Sequence, residues 1–369
     1  MKKVIIAINS SWYAYFMRYN LAKALKNNGY EVLFLAPFDE KYSEILKQDF
    51  KFIHIDIDSA GINPFKDIAT LFSFYKIYKS QKPDVVLNFT IKPNIYSAFI
   101  AGMLGIKSIN NITGLGTIFI KQNILTKIVK MFYKVSLNLS TKVFFQNKDD
   151  KKLFIENNMV KEIKTDLVPG SGVDLERFRS IEKEKNTKFT FLLIARLLKD
   201  KGVLEYIEAI KILKENYKDV EFQILGEVGS NNKTSIDKKE LDLWVENGLV
   251  NYLGVSDNVE DIIAQSDCVV LPSYREGTPR SLLEAAAMSK PLIATNVVGC
   301  KEVVDDKVNG YLCEVKNAND LSEKMIMMIE LSDKQREAMG KAGRYKMLKE
   351  FDEKIVIDKY LQTINEMLK

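Results

Sequence analysis

An α/β fold in two parallel-sheet domains is predicted for this 369-residue chain on three observations. Short apolar runs alternate with segments of helical period from end to end, the pattern of strand–helix–strand crossover units. The length suffices for two separate cores. A Pro- and Gly-rich break, LVPGSGVDLERF (Leu167–Phe178), interrupts the alternation near the middle with Pro169, Gly170 and Gly172. The expectation is two Rossmann-like domains, 1–170 and 171–352, facing a cleft, with a separate amphipathic helix over 353–369.

The elements follow in order. KKVIIAI reads as a strand, Phe16–Asn27 as a helix with apolar residues at Phe16, Leu21, Ala24 and Leu25, and EVLFLAP as the next strand; Asn28-Gly29 stops the helix. FKFIHIDI, DVVLNFT, SINNIT and KVFFQN continue the sheet. LTKIVKMFYKVSLNLS (Leu125–Ser140) reads as a helix with Lys127, Lys130 and Lys134 on one face and Ile128, Phe132 and Leu137 elsewhere. After the break come KFTFLLIA (strand), LEYIEAIKILKENY (helix), VEFQILG (strand), DIIAQS, CVVLPS (strand), a helix from Pro279, PLIAT (strand) and a helical C-terminal region.

Composition excludes several classes. No uncharged stretch approaches 18 apolar residues, so no membrane span is expected. Val4–Ile8 is too short for a signal core and reads as a strand. Cys268, Cys300 and Cys313 lie far apart without metal-ligand spacing and fit reduced cytosolic thiols. The single histidine, His54, stands in a strand and reads as structural, and Asp56-x-Asp58 beside it reads as a strand end. No metal or cofactor is expected.

Charge is divided unevenly. Residues 1–170 carry 24 Lys or Arg against 14 Asp or Glu, and the rest 30 against 35. No acid stands between Asp84 and Asp149, a window holding Lys92, Lys107, Lys121, Lys127, Lys130, Lys134, Lys142 and Lys148 among many apolar residues. Such a surface suits anionic lipid or a phosphate-bearing ligand. Nucleic acid ranks lower, because no nucleic-acid module is present and the second half is acidic.

Two segments carry chemistry. SYREGTPRSLLEAAAM (Ser273–Met288) follows the apolar strand VVLP and sets Glu276 and Glu284 eight positions apart at the start of a helix. Pro279 suits the first helical position and Thr278 can cap it. At 1.5 Å per residue the carboxylates are separated by roughly 12 Å, too far for a glycosidase acid/nucleophile pair, which needs about 5–10 Å. The spacing suits two carboxylates holding different hydroxyls of one long ligand, at the strand end where open α/β sheets bind ligands. RLLKDKG, after the strand KFTFLLIA, places Arg196 and Lys201 on a strand-to-helix loop, where two cations and helix N–H groups make an anion site.

These residues resemble the retaining glycosyltransferases of family four, of the GT-B type. E-G-x-P-x-x-L-L-E-A (Glu276–Ala285) resembles the family's E-x7-E motif, and Arg196, Lys201 and Gly202 its R-x4-K-G pattern. GSGVDLERF resembles its N-G-V-D-x-x-x-F linker, with Ser171 in place of Asn. Tyr252-Leu253-Gly254-Val255 resembles the F-L-G-x-V turn beside the nucleotide base. The resemblance implies a C-terminal helix that crosses back to the first domain. It implies that Glu276 contacts the donor sugar, that Glu284 holds the ribose, and that Arg196 and Lys201 neutralise the leaving diphosphate. Gly254, Val255, Gly277, Thr278 and Pro279 complete the donor side.

The first half departs from the family. Asn9-Ser10-Ser11-Trp12 replaces a Gly-rich loop, FTIKPN with Lys92 and Asn94 replaces a histidine motif, and NITGLG supplies Gly114 and Gly116. Asn9, Lys92, Asn94, Gly114 and Gly116 are thus the expected acceptor-side residues. This set looks like the subgroup, N-acetylgalactosaminyltransferase-like, that extends polyprenyl-diphosphate-linked glycans in bacteria. The implied partners are a UDP-sugar donor, a lipid-linked sugar acceptor and an anionic membrane surface, met peripherally on the inner face of the cytoplasmic membrane. The implied reaction is retaining transfer of a hexose or N-acetylhexosamine without metal, the acceptor proton passing to the donor phosphate. The alternatives are a UDP-sugar 2-epimerase of GT-B shape and a non-catalytic nucleotide-binding partner.

Overall fold

The computed structural model describes residues 1–58, 63–114, 124–181, 183, 188–229, 232 and 234–369; Gly116 and Lys121 lie outside them. The chain divides into two compact units, Met1–Ser171 with Lys354–Lys369, and Gly172–Glu353.

Among the described residues the first unit is built on a seven-stranded parallel sheet. Its strands are β1 (Lys3–Ala7), β2 (Glu31–Ala36), β3 (Lys51–His54), β4 (Val85–Phe89), β5 (Lys107–Ile112), β6 (Lys142–Phe145) and β7 (Thr165–Leu167). They run in the order β3-β2-β1-β4-β5-β6-β7. Between them lie α1 (Ser11–Asn27), α2 (Tyr42–Asp49), α3 (Pro64–Gln81), α4 (Ala98–Met103), α5 (Ile124–Leu139) and α6 (Lys148–Glu156). The central strands are buried on both faces, so they read as unbroken apolar runs such as VIIA. α1 begins at Ser11, five residues before the apolar period suggests, because the Ser10 side chain caps it by accepting from the Tyr13 amide at 3.4 Å. His54 is structural as expected: its Nδ1 accepts from the Phe38 amide at 2.9 Å.

The second unit carries six parallel strands among the described residues. They are β8 (Phe189–Ile194), β9 (Val220–Leu225), β10 (Asn251–Tyr252), β11 (Cys268–Leu271), β12 (Leu292–Thr295) and β13 (Gly310–Cys313), in the order β10-β9-β8-β11-β12-β13. Its helices are α7 (Val203–Lys214), α8 (Lys238–Glu246), α9 (Val259–Ala264), α10 (Arg280–Ala287), α11 (Ala318–Glu330) and α12 (Asp333–Lys346).

Both sheets are doubly wound. The chain proceeds outward one way from the first strand, then returns to lie on its other side. Each sheet therefore has a switch point, between β1 and β4 in the first unit and between β8 and β11 in the second. The last helix, α13 (Glu353–Leu368), returns to the first unit. Val356, Tyr360 and Ile364 are buried in one core with Val4, Ile6, Ala14 and Leu21, and the Tyr360 hydroxyl accepts from Asn111 Nδ2 at 2.8 Å.

Candidate active site

The second unit brings the predicted donor residues Arg196, Lys201 and Glu276 to its switch point; Gly254 and Val255 follow β10 at the sheet's edge. Arg196 and Lys201 follow β8; Glu276 follows β11, the strand beside it. What brings the two loops together is Gly202, in the left-handed region at φ 73°. A Cβ there would lie 2.0 Å from the Pro272 carbonyl oxygen, so only glycine lets the loops touch. The Tyr274 amide then donates to the Asp200 carbonyl at 2.9 Å, and the Ser273 hydroxyl to the same oxygen at 3.2 Å.

The result is an ion pair between Lys201 Nζ and Glu276 Oε1, partly buried on both sides. A second close approach fixes Glu276 from behind. Its amide donates to the Val298 carbonyl at 3.0 Å, and a Cβ on Gly299 would fall 2.6 Å from the Glu276 carbonyl. Arg196 is exposed at the end of β8. Sequence reasoning places Arg196 and Lys201 together on one anion; the structure ties Lys201 to Glu276 instead.

Helices α7 and α10 both begin at this edge. Neither N-cap residue, Gly202 or Pro279, makes a side-chain cap bond; the first turn of α10 carries no acid, whereas that of α7 carries Glu205. Pro279 is the N-cap rather than the first helical residue, with ψ 113°. Two helix N-termini beside a lysine attract anions through their amides and dipoles.

Glu284 lies within α10 among Leu282, Leu283 and Ala285, and is 8% exposed. Burial pushes its carboxyl above the ordinary 4.5, against the pull of Arg280 and, further off, Arg177. Arg280 Nε donates to its Oε1 at 2.5 Å. Arg177, from the linker, grips Glu260 with Nε at 3.1 Å and Nη2 at 2.8 Å, and Nη2 also donates to the Asp257 carbonyl at 2.6 Å. Arg177, Arg280 and Gly299 escape the sequence reading. Arg280 was legible, since four residues separate it from Glu284 on one helix face.

A turn follows β10. Gly254, at φ 72°, accepts from the Gly226 amide at 2.8 Å, and Val255 beside it is exposed. Gly277 and Pro279 are buried and Thr278 half-buried. Cys300 lies near Glu276, but burial pushes its thiol well above the usual range, away from nucleophilic duty. Among the described residues no three His, Cys, Asp or Glu side chains are grouped to hold a metal ion.

Two families match this architecture. Glycosyl transferases group 1 matches residues 174–346, and Glycosyl transferase 4-like matches residues 3–147. The chain is a glycosyltransferase of the GT-B type. This glycosyltransferase is 29% identical to an N,N'-diacetylbacillosaminyl-diphospho-undecaprenol alpha-1,3-N-acetylgalactosaminyltransferase of Campylobacter jejuni, over 96% of each chain. It is 26% identical to a UDP-Gal:alpha-D-GlcNAc-diphosphoundecaprenol alpha-1,3-galactosyltransferase of Escherichia coli, over 89% of this chain and 87% of that one. Among solved structures it shares its fold with Anabaena Alr3699/HepE in complex with UDP and glucose. That match has a TM-score of 0.81, 16% identity, and covers 99% and 100% of the two chains.

In the first unit three of the predicted acceptor-side residues, Asn9, Lys92 and Asn94, follow the strands of the other switch point; Gly114 follows β5 and Gly116 lies outside the described residues. Asn9 follows β1, and Lys92 and Asn94 follow β4, Asn94 in a π-helical turn over Pro93–Ser97. Lys92 pairs with Asp67 at 2.6 Å, both partly buried, so its charge is already countered. Gly114 is at φ 119° and half-buried.

α5 divides its apolar residues between two sides. Tyr133 and Leu137 face the core, whereas Ile128 and Phe132, with Met131, Val135 and Leu139, are exposed. Lys127 and Lys134 are exposed and Lys130 half-buried. Among the described residues no helix is long and apolar enough to cross a membrane.

Proposed function

We propose that this glycosyltransferase moves a hexose or N-acetylhexosamine from a UDP-sugar, with retention, to a sugar carried on a polyprenyl diphosphate. The observation that carries the donor half is the meeting of Lys201 and Glu276 where α7 and α10 begin. Lys201, Arg196 and the amides of α7 and α10 oppose the charge that builds on the departing diphosphate, the largest single term in most such transfers. That places charge stabilisation on the protein rather than on a metal. Glu276, freed from Lys201 as the diphosphate takes the lysine, orients the donor sugar, and Glu284 accepts from the ribose hydroxyls. The acceptor proton leaves to the donor phosphate.

The acceptor half rests on the two relatives named above, whose names specify diphospho-undecaprenol sugars. Asn9, Lys92, Asn94 and Gly114 are its proposed surroundings. The exposed apolar residues and flanking lysines of α5 give the enzyme a peripheral hold on anionic lipid at the inner face of the cytoplasmic membrane, where such an acceptor resides.

The test is an assay of UDP release with a panel of UDP-sugars and a polyprenyl-diphosphate-linked N-acetylhexosamine, with the product's anomeric configuration read by NMR. Acceptor-dependent UDP release, persisting in chelator and giving the donor's own configuration, is expected. An inverted product removes retention, and epimerised UDP-sugar without transfer overturns the reading.

A further inference from the structure

The switch point of the first unit holds buried oxygens that no described residue satisfies. Asn9 Oδ1, Thr90 Oγ1 and Asn94 Oδ1 have no hydrogen-bond partner among the described residues. An unsatisfied buried polar atom is costly, so three at one end of the sheet call for an explanation.

They are in one place. β1 and β4 are parallel neighbours with Ala7 opposite Asn88. Asn9 lies two residues past Ala7 and Thr90 two past Asn88, so both stand at the carboxyl ends of these neighbouring strands. The Thr90 carbonyl accepts from the Asn94 amide at 3.1 Å, which ties the third residue to the second. Asn94 is 1% exposed, and its Nδ2 donates to the Asn111 carbonyl at 2.7 Å, which fixes the other end of the carboxamide, Oδ1, as an acceptor.

Thr90 adds a second, independent sign. Its φ is 69°, in the left-handed region, where a β-branched residue is a true outlier. Such conformations cost on the order of 1–3 kcal/mol and gather at ligand sites. A fold that needed only the turn would use glycine here.

We propose that Asn9, Thr90 and Asn94 form a rim that recognises the sugar of the acceptor, rather than its diphosphate, by accepting from hydroxyl or acetamido N–H groups. The two carboxamide oxygens offer only acceptors and the Thr90 hydroxyl both donates and accepts, whereas a diphosphate near neutral pH is itself almost all acceptors. A sugar ring supplies the donors they lack. Of the neighbouring cations, Lys92 is held by Asp67, and the buried Arg18 guanidinium lies 4.0 Å over the Phe89 ring. This inference rests on the acceptor reading above and narrows it: Thr90 becomes a specificity residue, and the lipid-linked sugar is read by its donors.

The experiment compares binding of farnesyl diphosphate with that of farnesyl-diphosphate-linked N-acetylhexosamine. Wild type should prefer the sugar-bearing compound. Thr90→Val removes the hydroxyl and keeps the branched shape; it should lose about threefold to tenfold of that preference, with affinity for the sugar-free compound retained. Thr90→Ser keeps the hydroxyl and should keep the preference. Asn9→Leu should repeat the loss. Asn94 is left intact, because its Nδ2 supports β5. A Thr90→Val protein with full preference, or a wild type with none, overturns the rim while leaving acceptor-dependent transfer untouched. A wild type that binds neither compound overturns the rim and the acceptor reading together.

Discussion

The ammonium of Lys201 and the carboxylate of Glu276 form an ion pair across 75 residues of sequence, joining the loops that follow two neighbouring strands. Each fixes the other's rotamer. On the proposed reading, a diphosphate that approaches Lys201 competes with Glu276 for it and releases that carboxylate toward the sugar, so that one contact would couple donor binding to sugar orientation.

Lys201→Ala and Glu276→Ala should each lower kcat by about 10²–10³, the usual cost of one missing transition-state stabiliser. Because the two side chains share a contact, the double variant should lose less than the product of the single losses. Arg196→Ala, with no such coupling, should combine multiplicatively with Glu276→Ala. A strictly multiplicative Lys201/Glu276 double variant would show that the pair does not act as a unit.

Gly202 and Gly229 share a left-handed φ, 73° and 72°. They differ in surroundings: a Cβ meets the Pro272 carbonyl oxygen at 2.0 Å at Gly202 and nothing within 4 Å at Gly229. Gly229→Ala should therefore cost only the backbone term, about 1 kcal/mol. Gly202→Ala should cost several times as much in urea denaturation and should depress UDP binding as the two loops part. Equal losses would mean that the loop contact contributes nothing.

Glu284 supplies a pH test. Burial raises its native pKa above the ordinary 4.5, so between those two values the native state binds more protons than the unfolded chain. Stability then falls as pH rises from about 4.5 through the native value, and the deficit persists above it. Glu284→Gln lacks this term. Its stability relative to wild type should rise across that window in urea titrations, while its UDP affinity falls by about tenfold or more, as charge-assisted bonds to ribose are worth about 1.5–3 kcal/mol. A flat stability difference from pH 4 to pH 7 would refute the raised pKa; unchanged UDP affinity would refute the ribose role.

The sequence made the two doubly wound sheets readable because buried parallel strands are continuous apolar runs. VIIA, VVLNF and CVVL stand out against any amphipathic helix. Glu276, Glu284 and Lys201 were readable because local spacing ties them to strand ends. What sequence could not give was pairing across loops. Nothing in RLLKDKG tells that Lys201 turns to Glu276, since that depends on a glycine packing against Pro272. Nor does LTKIVKMFYKVSLNLS tell which of its apolar residues face the core. Leu137 and Phe132 are both apolar, and only the neighbouring elements decide that the first is buried and the second exposed.

That exposure gives the membrane prediction a sharper form. At 100° per residue α5 turns Tyr133 and Leu137 to the core, Lys127, Lys130 and Lys134 to one flank, and Ile128, Met131, Phe132, Val135 and Leu139 to the remaining side. Apolar residues beside lysines suit a helix lying in the lipid interface, where each lysine adds on the order of 1 kcal/mol near anionic headgroups and buried apolar area adds more. The two terms separate by salt, since screening removes the first within a Debye length of about 8 Å and leaves the second. Wild type should float with anionic vesicles and be only partly released at high salt. Charge reversal at Lys127, Lys130 and Lys134 should abolish initial binding. Met131→Ser with Phe132→Ser should bind at low salt and release completely at high salt. If both variants float like wild type at both salt concentrations, α5 is not the membrane-facing element and its exposed apolar side serves another partner.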